Sequence, residues 1–224
     1  MSEVTITVRG EHEARVAPEE GIAQISVRTE GHDRGDVVER IASLATPIRE
    51  DLAARAAADE VTDWSSQRVS LWANRPWNSE GKQLSLVHYA SVEMTATFTD
   101  FAALSWWVSN VAERDGVQID GISWRLTPAT AARVEADVAA HAVRVAVQRA
   151  QSYADALDLG AVIPLEIADT GLLVKADAGA GPEMRLARAA FAADTGAGGP
   201  ALEFEPEDIV VSAAVEARFT ARAH

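Results

Sequence analysis

The sequence contains no cysteine. That absence removes disulfides, thiolate nucleophiles and cysteine-ligated metal sites together, and it leaves the redox compartment open. Lysine is almost missing too, Lys82 and Lys175 being the only two, so the basic character rests on arginine. Positive charge is in deficit overall: 20 Lys and Arg against 34 Asp and Glu leave a formal charge of -14. A surface of that sign repels phosphate backbones and anionic headgroups at long range, so nucleic acid is not an expected partner. No run reaches the roughly 18 uninterrupted apolar residues of a spanning helix, and no membrane span is expected. The opening Met1-Ser2-Glu3-Val4-Thr5-Ile6 has neither the basic nor the apolar region of an export signal, which makes the cytoplasm the expected location.

Signatures of chemistry are missing as well. There is no G-x-S-x-G nucleophile elbow, no G-x-x-x-x-G-K-S/T phosphate loop and no G-x-G-x-x-G after a strand. The run Ala178-Gly179-Ala180-Gly181-Pro182 has the glycines of a phosphate cradle, but Pro182 removes a donor and no basic residue follows at the required spacing. It reads as a loop. His12, His32, His88, His141 and His224 include no i, i+4 pair that would aim two imidazoles at one metal. His141, four residues after Asp137, reads as a solvated, loosely ion-paired side chain, and His12 beside Glu13 as a surface position near a strand end. Glu203, Glu205, Glu207 and Asp208 could supply an acid and a base, yet such a run reads more simply as a solvated edge. No catalytic, cofactor-binding or metal-binding residue is nominated, and no cofactor is expected.

What remains is the composition of a globular protein, 48% hydrophobic and 24% charged over 224 residues. That length fits one domain, residues 1–224, with a flexible excursion at about 176–206 that is rich in Ala, Gly and Pro and holds a helical stretch from Glu183 to Ala192. Val4, Ile6 and Val8 alternate with polar residues as in a half-buried strand, and Gly10 is expected to break or bulge it. A second run, with Ala23, Ile25 and Val27 on one face, is expected to pair with the first. From Asp36, suited to cap the start, the period changes to 3.6, with Val37, Ile41, Leu44, Ile48 and Leu52 in one stripe. Pro47 predicts a kink there or a fresh helix start capped by Thr46.

Val61–Trp72 and Leu84–Thr99 read as a long hairpin around the turn-rich segment from Ala73 to Gly81. Asp100 can cap a short helix with the stripe Phe101, Leu104, Val108 and Val111, and Gly116 ends that passage. Val117–Leu126 is extended again. Thr127 or Thr130 opens a helix of roughly 40 Å, from about Ala131 to Leu159 with Gly160 as its stop, long enough to overhang a sheet. Its broad apolar face includes Val134, Val138, Ala142, Val145, Ala146, Ala150, Tyr153 and Leu157. Pro164–Leu173 and Ile209–Phe219 complete the strands. The class is α+β: antiparallel-rich sheets with long helices packed on one face, and strand-helix-strand passages compatible with a duplication whose self-similarity is too weak to claim.

The tryptophans are the candidate functional residues. Trp64, Trp72 and Trp77 cluster around the hairpin, and Trp106-Trp107 are adjacent on a short helix. Neighbours on a helix point about 100° apart, so both cannot sit on one apolar stripe; Trp107 lies nearer it, which leaves Trp106 for a contact elsewhere. Tryptophan is enriched at interface hot spots, and Trp72, Trp77, Trp106 and Trp107 form the candidate partner surface.

With these residues in hand, the chain resembles the SIMPL-domain family, which includes bacterial periplasmic immunogenic and oxidative-stress-defence proteins. The resemblance is carried by Ile6-Thr7-Val8-Arg9-Gly10 with Ala17-Pro18, by Tyr89-Ala90 and by Gly121-Ile122 with Trp124 and Leu126. The helix passage from Ala142-Val143-Arg144 to Leu157 and the close Pro206-Glu207-Asp208-Ile209-Val210-Val211-Ser212-Ala213 complete it. Each motif is soft, but their order is specific and spans nearly the whole chain. Where the family often has a second glycine two residues after the first, this sequence has His12. The resemblance implies a mixed α and β protein, assembled in some members into ring-like or channel-like oligomers, with no established catalytic residues to carry over and a link to stress defence. The expected function is a non-enzymatic, homo-oligomeric scaffold or interaction protein; the alternative is a small-molecule binding protein or an unrecognised hydrolase with its site beneath residues 176–206.

Overall fold

The computed structural model describes residues 3–173 and 204–223. In chain order the elements are β1 (Glu3–Val16), β2 (Glu20–Gly31), α1 (Arg34–Ala57), β3 (Asp63–Asn74), β4 (Val87–Phe98), α2 (Phe101–Ala112), β5 (Val117–Arg125), α3 (Pro128–Ala156), β6 (Ile163–Asp169) and β7 (Ile209–Arg222). The class is α+β with antiparallel sheets. Two compact units divide the chain: Met1–Ala17, Thr127–Thr195 and Asp208–His224 form the first, and Pro18–Leu126 with Gly196–Glu207 the second. The excursion expected at about 176–206 lies outside the described residues except for Phe204, Glu205 and Pro206.

In the first unit a three-stranded sheet of order β1-β7-β6 carries α3 against one face. Alternation along β1 buries Ile6 and Val8, and their partners Phe219 and Ala217 on β7 are buried with them. The expected pairing of β1 with β2 does not occur. β1 pairs along its whole length with β7, Glu3 opposite Arg222 and Val16 opposite Ile209, because two alternating patterns specify a buried face and not a neighbour. Gly10 does not break the strand either. It sits opposite Val215, where a Cβ would overlap the carbonyl oxygen of Ala142 and the backbone nitrogen of Ala146 on α3. The missing side chain lets helix and strand approach closely, as does the stripe Ala142, Ala146, Ala150 and Ala154, each fully buried.

Thr127 caps α3, its hydroxyl accepting from the Thr130 backbone N–H at 3.3 Å, with Pro128 in the first turn. The buried positions of α3 recur at every fourth residue from Val134 to Ala154. Tyr153 and Leu157, expected on that face, are 52% and 59% exposed, because the contact line follows the small residues. At the open end of the sheet the Thr220 hydroxyl donates to Glu3, and the Arg222 guanidinium lies 3.4 Å from the same carboxylate. The Thr220 hydrogen bond first, and the Arg222 charge second, hold the Glu3 carboxyl below the usual glutamate range.

The second unit is a four-stranded antiparallel sheet, order β3-β4-β2-β5, with α1 and α2 packed against one face. β2 supplies Ala23, Ile25 and Val27 to the core and β4 supplies Ala90, Val92, Met94, Ala96 and Phe98. Val37, Ile41, Ala45, Ile48 and Leu52 of α1 close over them, the stripe that the 3.6 period marks. α1 is capped by Asp33, whose carboxylate accepts from Gly35 at 2.7 Å and Asp36 at 3.1 Å, so Asp36 occupies the first turn instead of the cap. The helix runs on through Pro47 without a second start. Asp100 caps α2 as its sequence position indicates, accepting from Ala102 and Ala103.

Candidate functional site

The helices bury the inner face of β4 but leave the second half of β3 open. Register places Val69 opposite Val92 and Leu71 opposite Ala90, on the face that carries the core, yet Val69 is 62% and Leu71 46% exposed. Helical cover stops before it reaches them. On the other face Trp72 lies opposite Tyr89, the two rings stacked with centroids 5.4 Å apart and planes 12° from parallel. This cross-strand pair fixes the indole while leaving 49% of Trp72 exposed.

The connection between the strands is ordered by its own polar groups. Asn78 accepts on Oδ1 from the backbone of Glu80 at 3.0 Å and of Lys82 at 2.8 Å, and its own N–H donates to the Lys82 carbonyl at 2.9 Å. Gly81 closes the turn at φ +73, the left-handed region that glycine enters without steric cost. Trp77 bridges Gln83 across this small loop and is 67% exposed. With Leu84 and Leu86, also exposed, the segment from Val69 to Leu86 carries six of the large apolar side chains that the described residues leave open to solvent. His32 ties the loop to the strand behind it, its Nδ1 lying 3.1 Å from the Leu86 carbonyl.

The four nominated tryptophans therefore fall in three environments. Trp72 and Trp77 share the hairpin end. Trp106 projects from α2 at 65% exposure, while α2 itself packs against β2, β4 and β5. Trp107 lies in the core at 1% exposure, tilted against Phe98 at 5.5 Å, and its Nε1–H donates to the Asp51 carboxylate at 2.8 Å. The same carboxylate receives Arg55 Nε at 3.2 Å, so α1 presents a held acceptor to the buried indole.

Two depressions flank the Trp72–Tyr89 pair. One, of about 210 Å³, is bounded by Arg34, Val37, Leu71 and His88; the other is a shallow trough of about 620 Å³ on the opposite face, with Arg28, Ser70, Ser91 and Glu93 along it. Elsewhere the tertiary structure stacks His12 on His141, centroids 4.6 Å apart, a meeting of two elements that no local spacing signals. His141 Nδ1 contacts the Asp137 backbone carbonyl at 2.8 Å and not its carboxylate, correcting the expected ion pair. Among the described residues no group of three or more His, Asp or Glu is placed to hold a metal ion. Glu205, Glu207 and Asp208 are exposed, and Glu203 and the glycine run at 178–182 lie outside the described residues.

The SIMPL family model, described as a protein of unknown function (DUF541), matches residues 6–219. The chain belongs to the SIMPL family. No curated protein matches it. In this SIMPL protein the matched range runs through both compact units and the β3–β4 hairpin. His12 stands within the uninterrupted strand β1. No helix among the described residues is long and apolar enough to cross a membrane.

Proposed function

We propose that this SIMPL-family protein is a non-enzymatic scaffold that self-associates through the end of the β3–β4 hairpin. The observation that carries the proposal is the concentration of Val69, Leu71, Trp72, Trp77, Leu84 and Leu86, all exposed, on one ordered projection. Exposed large apolar side chains gathered on one segment mark an interaction site, and a rigid indole on an ordered loop is a typical anchor. A small-molecule binding role has less support among the described residues, because the depression of about 210 Å³ falls short of the roughly 300–1,000 Å³ of ligand pockets and the one of about 620 Å³ is an open trough. Stress defence enters through the family resemblance alone; peroxide survival of a strain with and without the gene tests it.

Light scattering across a concentration series tests self-association. The wild type should rise above monomer mass, and Trp77→Ser should weaken association roughly 30-fold, the equivalent of about 2 kcal/mol for a hot spot. A wild type that stays monomeric at high concentration refutes the proposal. An unchanged oligomer in the variant removes Trp77 from it.

A further inference from the structure

We propose that two copies of this protein pair antiparallel along the outer edge of β3, with Ser70 facing its own counterpart across a twofold axis. The proposal rests on the self-association reading above and adds where, and in which register, the copies meet. β3 ends the sheet order β3-β4-β2-β5, so no strand among the described residues lies along its outer row of backbone donors and acceptors. Such an edge is a template for another strand unless it is blunted by lysine, proline, a bulge or a covering element. The bulge between Ser66 and Arg68 interrupts only the first half of β3. From Arg68 to Asn74 the ladder to β4 is regular and contains neither lysine nor proline.

The second copy is the occupant because this edge is complementary to itself. A twofold axis perpendicular to the sheet keeps both copies' faces in common and opposes residues symmetrically about the axis. With Ser70 on the axis, Val69 lies opposite the partner's Leu71 and Arg68 opposite the partner's Trp72, and symmetry makes each pair twice. Val69 and Leu71 sit on one face and are exposed; Arg68 and Trp72 sit on the other, the arginine side chain 71% exposed. Apolar side chains then meet apolar ones, and a guanidinium meets an indole, the favoured cation–π partner. Moving the axis to Leu71 sets Trp72 opposite Ser70 and Arg68 opposite Asn74, and moving it to Val69 sets Arg68 opposite Ser70. Both shifts lose the arginine–tryptophan pairs.

The absence of cysteine makes the test clean, since Ser70→Cys introduces the only thiol. Directly opposed residues of an antiparallel pair have Cα atoms about 4.5–5.5 Å apart, within disulfide reach, whereas diagonal neighbours at roughly 7–8 Å are beyond it. Under mild oxidation at a concentration where the wild type is associated, Ser70→Cys should run as a covalent dimer without reductant, and Leu71→Cys should stay largely monomeric. Val69→Lys should weaken association at least 10-fold while leaving the circular dichroism spectrum unchanged. If the wild type associates but Ser70→Cys does not cross-link, or Leu71→Cys cross-links in its place, the β3 pairing is overturned and the self-association reading stands. A wild type monomeric by light scattering overturns both.

Discussion

Replacing Gly10 with alanine tests how closely α3 lies on its sheet. The added methyl would overlap the Ala142 carbonyl oxygen and come within 2.6 Å of Ala146 N and 2.8 Å of Ala146 Cβ. Overpacking a well-packed site costs typically about 1–3 kcal/mol, and here the upper end applies because two of the three obstructing atoms are helix backbone and cannot rotate away. Against this, alanine in an extended strand recovers roughly 0.4–1 kcal/mol by restricting the unfolded chain. The net loss is about 2 kcal/mol, or about 4–8 °C in Tm for a protein of this size. All six tryptophans lie in the second unit. Intrinsic fluorescence therefore follows that unit, and the loss should show in the far-ultraviolet circular dichroism melt, to which α3 contributes. The double variant G10A/A146G should not recover, because the Ala142 oxygen remains. A Tm shift below about 1 °C, or recovery in the double variant, would refute the reasoning.

Three further outcomes follow from the contacts described. Asp51→Ala leaves the buried Trp107 indole N–H without its acceptor and should cost about 1–3 kcal/mol in urea unfolding followed by fluorescence; a loss below about 0.5 kcal/mol would show that another acceptor takes over. Trp107→Ala should cost about 3–5 kcal/mol and Trp106→Ala almost nothing in the same assay, since only the first empties core volume. The Glu3 carboxyl, depressed in the folded chain, contributes stability that is fully present above the ordinary glutamate pKa of about 4.3 and is lost as pH falls through its lower folded value. Glu3→Gln should therefore lower stability at neutral pH and remove part of the acid-side decline; an identical pH profile in the variant would count against the Thr220 and Arg222 contacts.

Much of the secondary structure was legible because its causes lie within a few residues. Asp100 and Thr127 cap helices where their spacing puts them, and the stripe from Val37 to Leu52 marks the face of α1 that is buried. The 100° between helical neighbours separates Trp106 from Trp107, one exposed and one buried. Asp33 was missed as a cap because Asp36 is equally suited by type, and the choice rests on which backbone N–H groups each carboxylate can reach.

The amino-acid sequence by itself determined which residues extend, which coil and which face of each turns inward, since periodicity acts over one or two turns of chain. Tertiary structure alone decided the neighbours. β1 crosses to β7 at the far end of the chain, and β2 lies between β4 and β5, because an alternating strand offers the same backbone donors and acceptors to any partner. Gly10 looked like a break for the same reason: what it accommodates is the backbone of a helix from a distant part of the chain. The candidate site divides along that line. Tryptophan enrichment near the hairpin is written in the sequence, but the exposure of Val69 and Leu71, opposite the buried Val92 and Ala90, depends on how far α1 and α2 reach across a sheet whose strand order no local pattern encodes.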